Sequence, residues 1–204
     1  SKLETEKMLA PIADSAFTVT CLRFATACGF SPRLRLDLVL NDFVANALST
    51  GEIHILSNGK PWRPLIHVED MARAIDWAIF RTGKNGGAFL SVNTGSNDWN
   101  YQVKELADGI KRIITDVDIK INKSAKFDKR SYKVDFSLFN SLATKYKPKM
   151  NLEDAIKDLI SGLRSINFND HNFRSSKFIR LNILREHINN GRLNKDLFWT
   201  QPQN

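Results

Sequence analysis

Apolar positions along this chain alternate between two periods. Residues 17–24 (Phe-Thr-Val-Thr-Cys-Leu-Arg-Phe) are dense in β-branched and aromatic side chains and predict a buried strand. Residues 25–35 read as a loop punctuated by Gly29 and Pro32, and residues 36–48 return to helical spacing, with Asn41 and Asp42 near their start. A short strand at 53–56 and an apolar run at 65–68 come next. A helix then runs from about Asp70 to Arg81, where Gly83, Gly86 and Gly87 break it. Residues 89–92 predict another strand and 101–114 a helix with Val103, Leu106, Ile110, Ile113 and Ile114 apolar. Residues 116–121 predict one strand more. This alternation predicts an α/β fold with a mainly parallel sheet.

The ends are less regular. Residues 2–9 place Leu3, Met8 and Leu9 on one side of a helix that has no capping residue before it, so the chain is expected to start inside an element of a longer protein. The polar, basic stretch 122–133 leads to a short helix over 136–142 and a linker at 145–149. Asn151 caps a helix over 152–163, with Ala155, Ile156, Leu159 and Ile160 as its buried face. Beyond Asn167 the clear element is a helix at 178–188, closed near Gly191. Leu197-Phe198-Trp199 then needs a surface to pack on.

Composition narrows the classes. A chain of 204 residues, 42% hydrophobic and 25% charged, can bury one real core with room for a small second one. No run is long enough to cross a bilayer, and the first seven residues carry both signs of charge, so a cytoplasmic location is the default expectation. Cys21 and Cys28 form neither a metal spacing nor a disulfide framework and read as reduced thiols, one in a strand and one in a loop. His54, His67, His171 and His187 show no ligand spacing, so no metal site is expected. The net charge of +8 suits an anionic ligand. The lysines and arginines are scattered, thickening at 120–133 and 145–149, which favours a solvated basic face over a nucleic-acid or membrane surface.

The stretch 59–75 organises the rest. Gly59 marks a turn, and Arg63 sits just before a strand, where a guanidinium can present a rigid fork of donors to a diphosphate beside the flat face of Trp62. The alternative is a surface arginine pairing with Glu69 or Asp70. Arg33, Arg35 and Asn41 converge on the start of the helix at 36–48, where backbone N–H groups and the helix dipole favour an anion. A dinucleotide-binding Gly-x-Gly-x-x-Gly occurs nowhere in the chain.

Five features, in this order, carry a resemblance: Ser1-Lys2, similar to the end of a Tyr-x-x-x-Lys motif; Leu22-Arg23-Phe24-Ala25-Thr26-Ala27-Cys28-Gly29; Ser31-Pro32-Arg33-Leu34-Arg35-Leu36-Asp37 with Asn41; Gly59 to Asp70, similar to Gly-x-x-x-Arg-x-x-x-x-Val-x-Asp; and Asp128-Lys129-Arg130-Ser131-Tyr132-Lys133-Val134-Asp135 followed by Lys145-Tyr146-Lys147-Pro148. Together they resemble the C-terminal part of an extended short-chain dehydrogenase/reductase of the NAD-dependent nucleotide-sugar epimerase and dehydratase family. The tail after Asn167 is the least covered.

The resemblance implies the C-terminal part of a Rossmann-type parallel sheet with a smaller mixed α/β substrate-binding region. Residues 1–30 would end the dinucleotide-binding fold, 31–166 would bind substrate among the last Rossmann elements, and 167–204 would form a helical tail. It implies NAD or NADP as cofactor, a nucleoside-diphosphate sugar as substrate, hydride transfer at a sugar carbon, and a possible homodimer of the full-length protein. Lys2 would be catalytic, lowering the pKa of a tyrosine three residues before Ser1 and holding the nicotinamide ribose. The chain alone would then be inactive. Phe24 and Thr26 would border the cofactor, with Phe24 standing where many relatives carry asparagine. Arg63 and Arg130 would approach the diphosphate, and Asn41 would start the helix over the nucleotide. Arg33 and Arg35 would either bind substrate or order their loop by pairing with Asp37 and Asp42. Tyr132 would either stack on the ligand or fill a strand. Two other readings stay open: a related enzyme with a non-nucleotide substrate, and a non-catalytic binding fragment.

Overall fold

The computed structural model describes residues 2–125 and 131–200. Helix α1 (Lys2–Leu9) leads through a short turn to strand β1 (Val19–Phe24), and β2 (Thr26–Cys28) follows after one residue. Then come α2 (Val39–Thr50), β3 (Glu52–Ile55), β4 (Trp62–His67), α3 (Val68–Phe80), β5 (Phe89–Thr94), β6 (Asn100–Gln102), α4 (Val103–Ile113) and β7 (Asp118–Ile121). Helices α5 (Ser137–Leu142), α6 (Leu152–Ser165) and α7 (Arg180–Asn189) complete the order.

The strands pair in three small groups. β1 runs parallel to β5, β3 runs parallel to β7, and β4 lies between parallel β2 and antiparallel β6. This is the expected α/β arrangement, with local differences: Arg63, expected just before a strand, lies within β4, and β6 takes residues expected to open the helix at 101–114. The segment read as a loop after residue 24 contains β2, because Thr26, Ala27 and Cys28 find backbone partners in Leu65, Ile66 and His67. Cys28 is therefore a buried strand residue rather than a loop residue. Val68 opens α3 instead of closing β4, since the His67 side chain accepts the Glu69 N–H and caps the helix one residue earlier than the apolar run suggests.

The main core packs α2, α4 and α6 around β3. Leu40, Val44, Ile53, Ile55, Leu106, Ile110, Ile156 and Leu159 are all buried there. Phe173, in the tail, is buried in the same core; its ring meets Phe168 edge-on, and Phe168 in turn meets Phe178 edge-on. A smaller core joins α3, β5 and α5 through Trp77, Val92 and Phe139, whose Trp77 and Phe139 rings meet at 5.5 Å and 84°. Leu197, Phe198 and Trp199 stay more than half exposed, although Trp199 bridges to Leu193 and its ring meets that of His187. Among the described residues no helix is long and apolar enough to cross a membrane.

Candidate ligand groove

Two buried polar networks shape the surface around β4. The first fixes the loop between β2 and α2. Gly29 adopts φ +107°, and its N–H donates to Asn41 Oδ1 at 3.1 Å, while Asn41 Nδ2 donates to the Arg35 carbonyl at 3.0 Å. Phe30 N–H donates to Asp158 Oδ2 at 2.7 Å, tying the loop to α6. Arg35 closes a two-pronged pair with Asp37 at 2.7 and 2.6 Å. The paired guanidinium holds the Asp37 carboxyl below the usual carboxylate range.

The second network docks residues 131–135 beside β4. Asn100 acts as a strand edge in miniature: its Oδ1 accepts the Val134 N–H at 2.9 Å and its Nδ2 donates to the Val134 carbonyl at 3.0 Å. Ser131 Oγ accepts the Trp62 N–H at 3.0 Å, and Lys133 Nζ lies 3.6 Å from the centre of the Trp62 ring. Tyr132, between them, is left exposed.

Between these networks lies a groove of about 910 Å³. Its walls come from Thr26 on β2, Asp37 and Asp42 around the start of α2, His54 and Leu56 at the end of β3, Arg63 on β4, and Tyr132. Arg63 is half-buried, and its Nη1 donates to the Trp62 carbonyl at 2.8 Å, which fixes the base of the guanidinium on the strand. Opposite, Arg174 from the tail pairs through Nε and Nη2 with both oxygens of Asp42 at 2.8 and 2.7 Å, and that carboxylate holds the guanidinium pKa above its ordinary value. His54 adds a ring nitrogen 2.7 Å from Glu52. A smaller cleft of about 600 Å³, between the end of α4 and α6, gathers none of the residues singled out from the sequence.

Residues 1–95 match the NAD dependent epimerase/dehydratase family. The chain carries that family's fold. A UDP-glucose-4-epimerase from Stenotrophomonas maltophila, solved with NAD and formylated UDP-arabinopyranose, is 20% identical with a TM-score of 0.65, over 81% of this chain and 54% of that one. The ADP-L-glycero-D-manno-heptose-6-epimerase of Helicobacter pylori is 16% identical with a TM-score of 0.64, over 80% and 49%. MoeE5 in complex with UDP-glucose and NAD is 21% identical with a TM-score of 0.60, over 74% and 48%. The chain thus spans about half the length of these structures, and its α/β arrangement with parallel strands is that of Rossmann-type epimerases.

The residues singled out from the sequence do not all meet at one place. Thr26, Arg63 and Tyr132 meet in the groove. Asn41 does not line it: the side chain is 2% exposed, and both ends of its amide are engaged by the loop, which it braces. Arg35 takes the loop-ordering alternative with Asp37, whereas Asp42 pairs with Arg174 and not with Arg33 or Arg35. Arg33 is exposed and is not a wall residue. Lys2 is exposed in the first turn of α1, a helix attached to β1 by the Glu6–Arg23 ion pair. Phe24 ends β1 opposite Thr94 and packs against the smaller core. Arg130 lies outside the described residues. Arg174 is the groove residue that sequence reasoning missed. It stands 132 positions from its partner Asp42, and no motif marks it.

Proposed function

We propose that this chain is the substrate-binding portion of an NAD- or NADP-dependent nucleotide-sugar epimerase, dehydratase or reductase, and that its groove takes the nucleoside diphosphate. The observation that carries this reading is Arg63, a half-buried guanidinium fixed on β4 in the wall of a groove that also holds Tyr132 and the 76% exposed Leu56. A planar cation suits a diphosphate, and the flat apolar surfaces beside it suit a nucleobase. MoeE5 with UDP-glucose and NAD, and the Stenotrophomonas epimerase with NAD and a UDP-sugar, have ligands of this class.

NAD or NADP, when bound, supplies the hydride acceptor at the sugar carbon. The chain's own contribution toward it would be the Lys2 ammonium and the Thr26 hydroxyl, both suited to ribose and amide groups, and the Phe24 ring. The role of these residues would be to bind and orient the cofactor.

Titration calorimetry of the chain with UDP, ADP and GDP, taken singly, tests the reading. At least one is expected to bind, and Arg63→Ala is expected to weaken it about 10- to 100-fold, as the loss of charge-assisted hydrogen bonds of about 1.5–3 kcal/mol requires. Equal affinity of the variant and the parent for every nucleotide would refute it.

A further inference from the structure

Arg174 belongs to neither of the two networks that build the groove, and it comes from a segment beyond the residues matched to the family. Its placement is nonetheless well defined. Phe173 beside it is 1% exposed in the main core, and Asn182 Nδ2 donates to the Arg174 carbonyl at 3.1 Å, so the backbone at 173–174 is anchored from below and from α7. The side chain then reaches the groove wall and meets Asp42 edge to edge.

A guanidinium is planar, and a carboxylate that takes the Nε and Nη2 edge leaves the Nη1 hydrogens directed away from it. The pairing also neutralises a carboxylate that otherwise faces the same groove as Arg63. An anionic ligand meeting an unpaired Asp42 there would be repelled. The tail therefore alters the charge of the groove in two ways: it cancels a negative group and adds a donor edge.

We propose that Arg174, held in place by Asp42, is a ligand-binding residue for the phosphate groups of the nucleoside diphosphate, so that the C-terminal tail forms a working wall of the site. This rests on the reading of the groove as a nucleoside-diphosphate site. Arg63 and Arg174 grip the ligand from different elements, β4 and the tail, and Asp42 fixes the direction of the second grip.

The test is calorimetry with UDP, ADP and GDP on the parent chain and on Arg63→Ala, Arg174→Ala, Asp42→Ala and the Asp42→Ala/Arg174→Ala double variant, each checked for an unchanged melting temperature. Arg174→Ala is expected to weaken the bound nucleotide at least 10-fold, and the double variant, which also removes the unpaired carboxylate, is expected to recover only part of that loss. Arg174→Lys, which keeps the charge, is expected to recover part of the loss. If Arg174→Ala lowers the melting temperature, Arg174→Gln, of similar length, carries the same comparison. Recovery of parental affinity in the double variant would overturn the proposal, because Arg174 would then only neutralise Asp42. Loss of binding in Arg63→Ala with none in Arg174→Ala would overturn it while leaving the groove reading intact. Failure of every nucleotide to bind the parent would remove both.

Discussion

His67 Nε2 lies 3.1 Å from Asp158 Oδ2, joining the end of β4 to α6 across 91 positions of sequence. His67 is 1% exposed, and its Nδ1 accepts the Glu69 N–H at 3.3 Å, which assigns the ring proton to Nε2 and makes Asp158 the acceptor. The same carboxylate oxygen accepts the Phe30 N–H, so a single side chain holds the strand and the groove loop together. Asp158→Ala leaves the His67 Nε2–H buried without a partner. It is expected to cost about 1–3 kcal/mol in urea denaturation and to raise the exchange rate of the Phe30 amide. An unchanged Phe30 exchange rate would show that the loop is held by other means.

Gly29 tests the same junction from the other side. Its φ of +107° is disfavoured for residues with a side chain, and a Cβ there would lie 2.4 Å from His67 Nε2. Backbone strain alone costs about 1–3 kcal/mol, and the imidazole cannot retreat without leaving Asp158. Gly29→Ala is therefore expected to destabilise the fold more than Gly51→Ala at the C-cap of α2, where φ is +70° but the nearest atom is 3.8 Å away. Equal melting temperatures for the two variants would sink the steric argument.

The alternation of periods made the element order readable, because each helix buries one stripe and each strand a short apolar run. Its limits lie where backbone pairing or side-chain caps decide. Nothing in Thr26-Ala27-Cys28 announces a strand, since it exists through its pairing with β4. The start of α3 depends on the His67 ring acting as a cap, which the apolar run conceals. In the groove, Arg63 was expected just before a strand and stands as the second residue of β4, because the strand begins at Trp62. For Asn41 the limit lay in the side chain. Its position at the start of α2 was right, but which way the amide turned depended on Gly29 and Arg35. Arg174 was invisible, since a contact across 132 positions leaves no local pattern.

Acid should loosen the groove loop in a defined window. The Arg35 guanidinium holds the Asp37 carboxyl below its ordinary value, which is near 3.9 in an unfolded chain. Close to pH 4 the unfolded state therefore binds more protons than the folded one. The pair's contribution is fully present above that value and is lost as pH falls through the lower folded pKa. Asp37→Asn never makes the pair, so the stability gap between parent and variant is expected to be constant from pH 7 to 5 and to shrink below pH 4. Urea denaturation at pH 6, 4 and 3 checks this, and a gap as large at pH 3 as at pH 6 would contradict it.

Asp70 sets the last prediction, because it is 1% exposed and holds three groups at once. Its Oδ1 accepts the Lys149 N–H at 2.9 Å and Oδ2 the Met150 N–H at 3.1 Å, while Arg73 reaches Oδ1 at 3.2 Å. The Met150 carbonyl in turn accepts the indole N–H of buried Trp99 at 3.0 Å, so the carboxylate, the 149–150 segment and the indole form one chain of bonds. Asp70→Asn puts an amide NH₂ where an acceptor is needed and leaves at least one backbone N–H buried and unpaired. Breaking a buried ion pair in this way is expected to cost about 3–5 kcal/mol. Releasing the segment also frees Trp99 to meet water, so its emission is expected to shift to the red in a chain whose Trp62, Trp77 and Trp199 are replaced by phenylalanine. A large stability loss with unshifted Trp99 emission would mean that Asp70 acts through α3 alone and that the link to the indole is not part of its role.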